Sequence, residues 1–135
     1  MIYVVIDTNV LVSALLSKHP DSSTVVIRKH ILDGTIIPLY NDEIYTEYAN
    51  VLHRPKFQLP TDQTDAILDA IAEQGLLLDR TKTDEIFPDP NDVVFYEVAL
   101  SKEGSFLVTG NIKRFPSNLI VVTPAELLKI IETMK

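Results

Sequence analysis

Five short runs of this chain are apolar at every position, and no other feature constrains its fold as tightly. They are Ile2–Ile6, Ile36–Leu39, Leu76–Leu78, Phe106–Val108 and Leu119–Val122. A strand with one face in water alternates apolar and polar side chains; a strand without alternation is covered on both faces. Between the runs lie segments with helical periodicity. The pattern predicts helices over Asn9 to Ser17, from a cap at Asp21 or Ser22 to about Leu32, from a cap at Asn41 to just before Pro55, and from Thr61 to about Gln74. Two more are expected, one starting at Asn91 or Asp92 and one after Thr123. Doubly covered strands separated by helices specify a parallel sheet between helical layers. The expected fold class is therefore α/β, a three-layer α/β/α sandwich with a central parallel sheet, built as one domain over residues 1–135.

Local punctuation supports these boundaries. Gly34 and Gly75 stop two of the helices, and Pro55 ends a third. Thr123-Pro124-Ala125-Glu126 supplies an N-cap, a proline in the first turn and a capping-box glutamate. Pro38 suits the end of a strand better than its centre. Glu97 is assigned to the polar side of its helix, and Glu43 to a first turn where the helix dipole favours it.

Composition narrows the function. The chain has no cysteine, which removes disulfides, Cys-based zinc sites and thiol nucleophiles. A formal charge of −7 argues against a broad basic surface for nucleic acid, but permits a metal-bridged substrate or a basic protein partner. Met1–Leu16 lacks a basic leader, and Asp7-Thr8-Asn9 interrupts its apolar run. It therefore suits neither a signal peptide nor a membrane span. A cytoplasmic protein without membrane association is expected.

The chemistry centres on Asp7, a carboxylate at the carboxyl end of the first strand. Ligands of open α/β sheets bind at that edge, near a switch in strand order. Asp7 can cap the following helix, ligate a cation, or do both. Glu47 falls in mid-helix, where a solvated position is the ordinary alternative. Asp89 and Asp92 lie in the stretch FPDPNDVV, which holds more acid than one cap requires. Thr109-Gly110-Asn111 ends a second strand with a polar turn. Several carboxylates in one pocket repel one another unless a cation neutralises them. Their oxygens are hard ligands suited to Mg²⁺ or Mn²⁺, which substrate phosphate completes.

In four segments the chain resembles the PIN-domain family: VVIDTNVLVSALL, NDEIYTEYANVLHRPKF, DPNDVVFYEVAL and FLVTGNIKRFP. The order and spacing of these segments cover almost the whole chain, and within the family they look most like the toxin components of prokaryotic toxin–antitoxin pairs. The resemblance implies a Mg²⁺- or Mn²⁺-dependent endoribonuclease. It implies Asp7, Glu47 and Asp92 as catalytic metal ligands and Asp89 as an auxiliary one. Asn111 stands where many members carry a further aspartate, which gives a neutral oxygen in place of a charge. Thr8, Asn9 and Thr109 correspond to orienting groups around the ligands. Arg54, Lys56, Lys113 and Arg114 are expected at the pocket rim, where they can hold RNA phosphates or merely solubilise helix ends. A cognate antitoxin and a homodimer are the implied partners. A catalytically weak or inactive interaction module on the same fold remains the alternative.

Overall fold

The computed structural model describes residues 1–134. Its strands are β1 (Ile2–Ile6), β2 (Ile36–Tyr40), β3 (Leu76–Leu77), β4 (Phe106–Val108) and β5 (Val121–Val122). Its helices are α1 (Thr8–Leu16), α2 (Ser23–Asp33), α3 (Asp42–Leu52), α4 (Thr61–Gln74), α5 (Val93–Leu100) and α6 (Pro124–Thr133). The sheet has the order β3-β2-β1-β4-β5, and every neighbouring pair is parallel. The six helices flank it, giving the expected α/β/α sandwich. Among the described residues no helix is long and apolar enough to cross a membrane.

The sheet centre behaves as its composition requires. Val4, Val5, Ile6, Ile36, Leu39, Leu107 and Val108 are fully buried. Helices close over them with Ile27, Ile31, Ile44, Ile67, Ile71 and Phe95. Burial of each such side chain contributes about 1.5–3 kcal/mol.

The edges depart from expectation. Leu76–Leu78 forms only a two-residue margin strand, and Leu77 is 58% exposed. Leu119–Val122 shortens to Val121–Val122 because Asn118 accepts the Ile120 amide in a turn, which leaves Leu119 95% exposed. Apolar character alone did not distinguish a central strand from a marginal one.

Pro38 sits inside β2, opposite Val4. The backbone explains how. The Thr35 carbonyl accepts from Ile2 on the β1 side, and the Tyr40 carbonyl accepts from Leu78 on the β3 side. Backbone groups alternate in direction along a strand. Pro38 therefore turns its missing donor toward β3, ahead of that strand's first residue. Gly75 approaches there so closely that a Cβ would lie 2.8 Å from the Pro38 carbonyl oxygen and 2.3 Å from that of Ile71.

The helix ends follow the sequence signals. Asn41 accepts the Ile44 amide at 2.9 Å, Gly34 closes α2 at φ 85°, and Thr123 with Glu126 forms a full capping box.

Candidate active site

The strand order reverses between β1 and β4, so the crevice beyond their carboxyl ends is the natural ligand position. Asp7 follows β1 there, and Thr109 follows β4. The Asp7 amide donates to the Val108 carbonyl at 3.0 Å, fixing the two strand ends together. The Thr109 hydroxyl donates to Asp7 Oδ2 at 2.7 Å. Both residues are buried. Asp7 makes no side-chain capping bond to α1, so capping does not account for its burial.

Asp92 reaches the same crevice from the far side. It closes a 3₁₀ turn, Pro90–Asp92, and leads into α5. It too is buried. The turn is set by Asp89, whose Oδ1 accepts the Asn91 amide at 2.9 Å. Asp89 itself is exposed.

One cation bridges the two buried carboxylates, and it is Arg114. Its Nε donates to Asp92 Oδ2 at 2.9 Å, its Nη2 donates to Asp92 Oδ1, and its Nη1 donates to Asp7 Oδ2 at 3.1 Å. This corrects the expectation of a rim residue. The side chain is only 26% exposed and lies between the carboxylates. Burial raises the Asp7 pKa from its ordinary value; Thr109 and Arg114 oppose that rise, and the nearby Asp92 charge adds to it. The Asp92 hydrogen bond raises the Arg114 pKa, and the charges of Asp7 and Asp92 raise it further.

Glu47 stands apart from this pair. It accepts the hydroxyl of Thr8, the residue after Asp7, and is half-buried. Its carboxylate lines a cleft with Glu43, Arg80, Pro90, Asn91 and Val94. The next residue, Tyr48, donates its hydroxyl to the Ile6 carbonyl, holding α3 against the end of β1. Among the described residues no three His, Cys, Asp or Glu side chains gather closely enough to hold an ion. In place of the expected cup of Asp7, Glu47 and Asp92, the described residues show a carboxylate pair bridged by Arg114, with Glu47 bonded to Thr8 beside it.

The remaining expected site residues separate. Asn111 is exposed, and its Oδ1 accepts the Lys113 amide at 3.3 Å, capping the 3₁₀ turn Ile112–Arg114. Its side chain serves that turn and not the carboxylate pair. Asn9 and Lys113 are exposed. Arg54 and Lys56 are exposed beyond the C-terminus of α3, with Lys56 packed 5.1 Å from the Phe57 ring centre.

A model of the PIN domain matches residues 3–113 of this chain. The chain belongs to the PIN-domain family. PIN domains are generally nucleases and typically use divalent metals, so a nuclease-type hydrolase is the activity this fold carries. No curated protein and no solved structure matches the chain.

The donor set of this PIN domain fits a divalent cation. Mg²⁺ needs only one or two protein carboxylates alongside waters and substrate phosphate. Asp7 and Asp92 converge on one positive group, so two hard oxygen donors of the kind such an ion takes lie side by side.

A second ionic cluster escaped the sequence reading. Glu97 is buried on α5, not on a polar face. It accepts from Arg80 Nε at 2.7 Å and from the Thr83 amide at 2.8 Å. Arg80 also donates to Glu43, with Nη1 3.0 Å from Oε2. Burial pushes the Glu97 pKa up, but Thr83 and Arg80 outweigh it and hold it below 4.5. The cluster ties the polar segment after β3 to α3 and α5, forming one wall of the Glu47 cleft. A signal was available: VVFYEVAL is apolar all round, so its one carboxylate had no wet side to occupy.

Proposed function

We propose that this PIN domain is a Mg²⁺- or Mn²⁺-dependent endoribonuclease that hydrolyses RNA phosphodiester bonds. The observation that carries the reading is the convergence of buried Asp7 and Asp92 on a single cation at the switch point of the sheet. A buried carboxylate pair without a counter-charge is strongly disfavoured, so the geometry makes sense as a cation site.

Asp7 and Asp92 would hold the metal, which when bound supplies charge neutralisation and Lewis-acid activation at the scissile phosphate. Thr109 fixes the Asp7 carboxylate, and Thr8 fixes that of Glu47. Glu47 pairs with no cationic side chain among the described residues and lines the cleft beside the pair, where it would take the proton of the attacking water. Hydrolysis adds that water across one P–O bond and leaves a phosphate monoester end and a hydroxyl. Lys113, exposed next to Arg114, and the exposed Arg54 and Lys56 would meet RNA phosphates.

The reading includes a role as the toxin of a cytoplasmic toxin–antitoxin pair, in which an antitoxin covers the crevice and the toxin forms a homodimer. Acidity of the chain suits a basic antitoxin segment. A second reading, a PIN-like interaction module without effective chemistry, is favoured by one feature: the guanidinium already between the carboxylates. Incubation of the purified protein with Mn²⁺ and a panel of single-stranded RNAs and tRNAs separates the two. Cleavage that is lost in Asp7→Asn supports the nuclease. Intact RNA with both proteins refutes it. Co-purification with the product of the neighbouring reading frame tests the toxin role.

A further inference from the structure

We propose that Arg114 is an exchangeable internal counter-ion, which a divalent cation must displace from Asp7 and Asp92 before the site can act. The proposal rests on the metal-dependent reading above and says how that metal gains entry.

Three nitrogens of one guanidinium engage three carboxylate oxygens. Both Asp92 oxygens are taken, as is the Asp7 oxygen that also accepts from Thr109. A Mg²⁺ ion must approach such oxygens to about 2.1 Å, from the directions the N–H groups now fill. Joint occupancy of these three oxygens is therefore blocked, and Asp7 Oδ1 is the one carboxylate oxygen that Arg114 leaves open. Charge argues the same way. Two carboxylates and one guanidinium leave a net −1, and exchange for a dication leaves the buried pair neutral. Holding both cations would leave a net +1 in a crevice whose carboxylate side chains are almost wholly buried.

The local backbone permits the exchange. Arg114 ends a 3₁₀ turn whose Ile112 and Lys113 are exposed, while Phe115 after it is buried and anchors the chain. An outward swing of the long side chain gives up its contact with the Phe115 ring, 5.7 Å from the ring centre, while Phe115 itself stays in the core. Once outside, the guanidinium stands at the mouth of the crevice, where an RNA phosphate would bind it bidentately. The same residue thus holds the metal-free site closed and becomes a substrate contact in the loaded one.

Simple positioning predicts the opposite sign. If Arg114 merely aligned Asp7 and Asp92 as ligands, its removal would weaken metal binding. Calorimetric titration of the full chain with Mn²⁺, wild type against Arg114→Met, decides between them. The expected result is affinity at least about tenfold tighter in the variant, with lower metal-free thermal stability and a larger Mn²⁺-induced rise in melting temperature. Equal or weaker affinity in the variant overturns the exchange while leaving the metal-dependent reading intact. Absence of Mn²⁺ binding by both proteins at millimolar concentration overturns both. Should the variant fail to fold, nuclear magnetic resonance of the wild type gives the second measurement. The Arg114 Nε–Hε signal should move toward the position of a free side chain in step with Mg²⁺ saturation. A signal unmoved at saturation overturns the proposal.

Discussion

Thr109 and Asp7 lie 102 positions apart in the chain, yet the hydroxyl of one donates to Oδ2 of the other at 2.7 Å. The bond closes the gap between the ends of β1 and β4, where the strand order reverses. Thr109→Val keeps the shape and removes the donor, leaving Asp7 Oδ2 to Arg114 alone. The expected cost is about 1–3 kcal/mol, read from urea unfolding of the metal-free protein. Thr109→Ser should restore most of it, and an unchanged midpoint for Thr109→Val would show that the bond carries no stability.

Asp7 opposes the stability of the fold it sits in. Burial raises its pKa above the ordinary value of 3.8, so at neutral pH the folded chain holds a charge that the unfolded chain holds more cheaply. Its unfavourable contribution is full above the raised folded pKa and fades as pH falls toward 3.8. Asp7→Asn should therefore raise the melting temperature of the metal-free protein at pH 7, and on the proposed function it should also abolish RNA cleavage. A lower melting temperature would contradict the sign.

Glu97 has the reverse dependence. Its folded pKa lies below 4.5, so its stabilising contribution is full above that value and is lost as pH falls through the folded pKa. Glu97→Gln should cost about 1.5–3 kcal/mol at pH 7, the range for hydrogen bonds to charged groups. The cost should shrink progressively below pH 4.5. Denaturation at a series of pH values measures both, and a pH-independent difference would remove the carboxylate from the account.

Glu47 and Asp92 should separate binding from chemistry. Asp92→Asn removes one of the two converging carboxylates and should weaken Mn²⁺ binding in calorimetry. Glu47→Gln should leave Mn²⁺ affinity nearly unchanged but slow cleavage by about 10²–10⁴-fold, the usual contribution of a general base. Loss of Mn²⁺ binding in Glu47→Gln would instead make Glu47 a ligand.

Much of this arrangement was legible in the sequence where local chemistry determines it. The Asp7 position follows from the end of an apolar run, and the Thr123–Glu126 cap from four adjacent residues. Arg114 was not legible in that way. Lys113-Arg114 is indistinguishable from any surface doublet until the 3₁₀ turn after β4 aims the second residue inward. Glu97 could have been found, since α5 has no polar face to receive it. Its partner Arg80 could not, because their contact is tertiary. Leu77 and Leu119 show the limit of hydrophobic patterning: it registers how apolar a strand is but not where in the sheet it lies.

The short margin strands β3 and β5 have a consequence for self-association. Each offers an approaching chain a ladder of only two residues, too little to seed the edge-to-edge growth that long bare strands invite. Borders this truncated are among the devices by which sheets resist lengthening strand by strand.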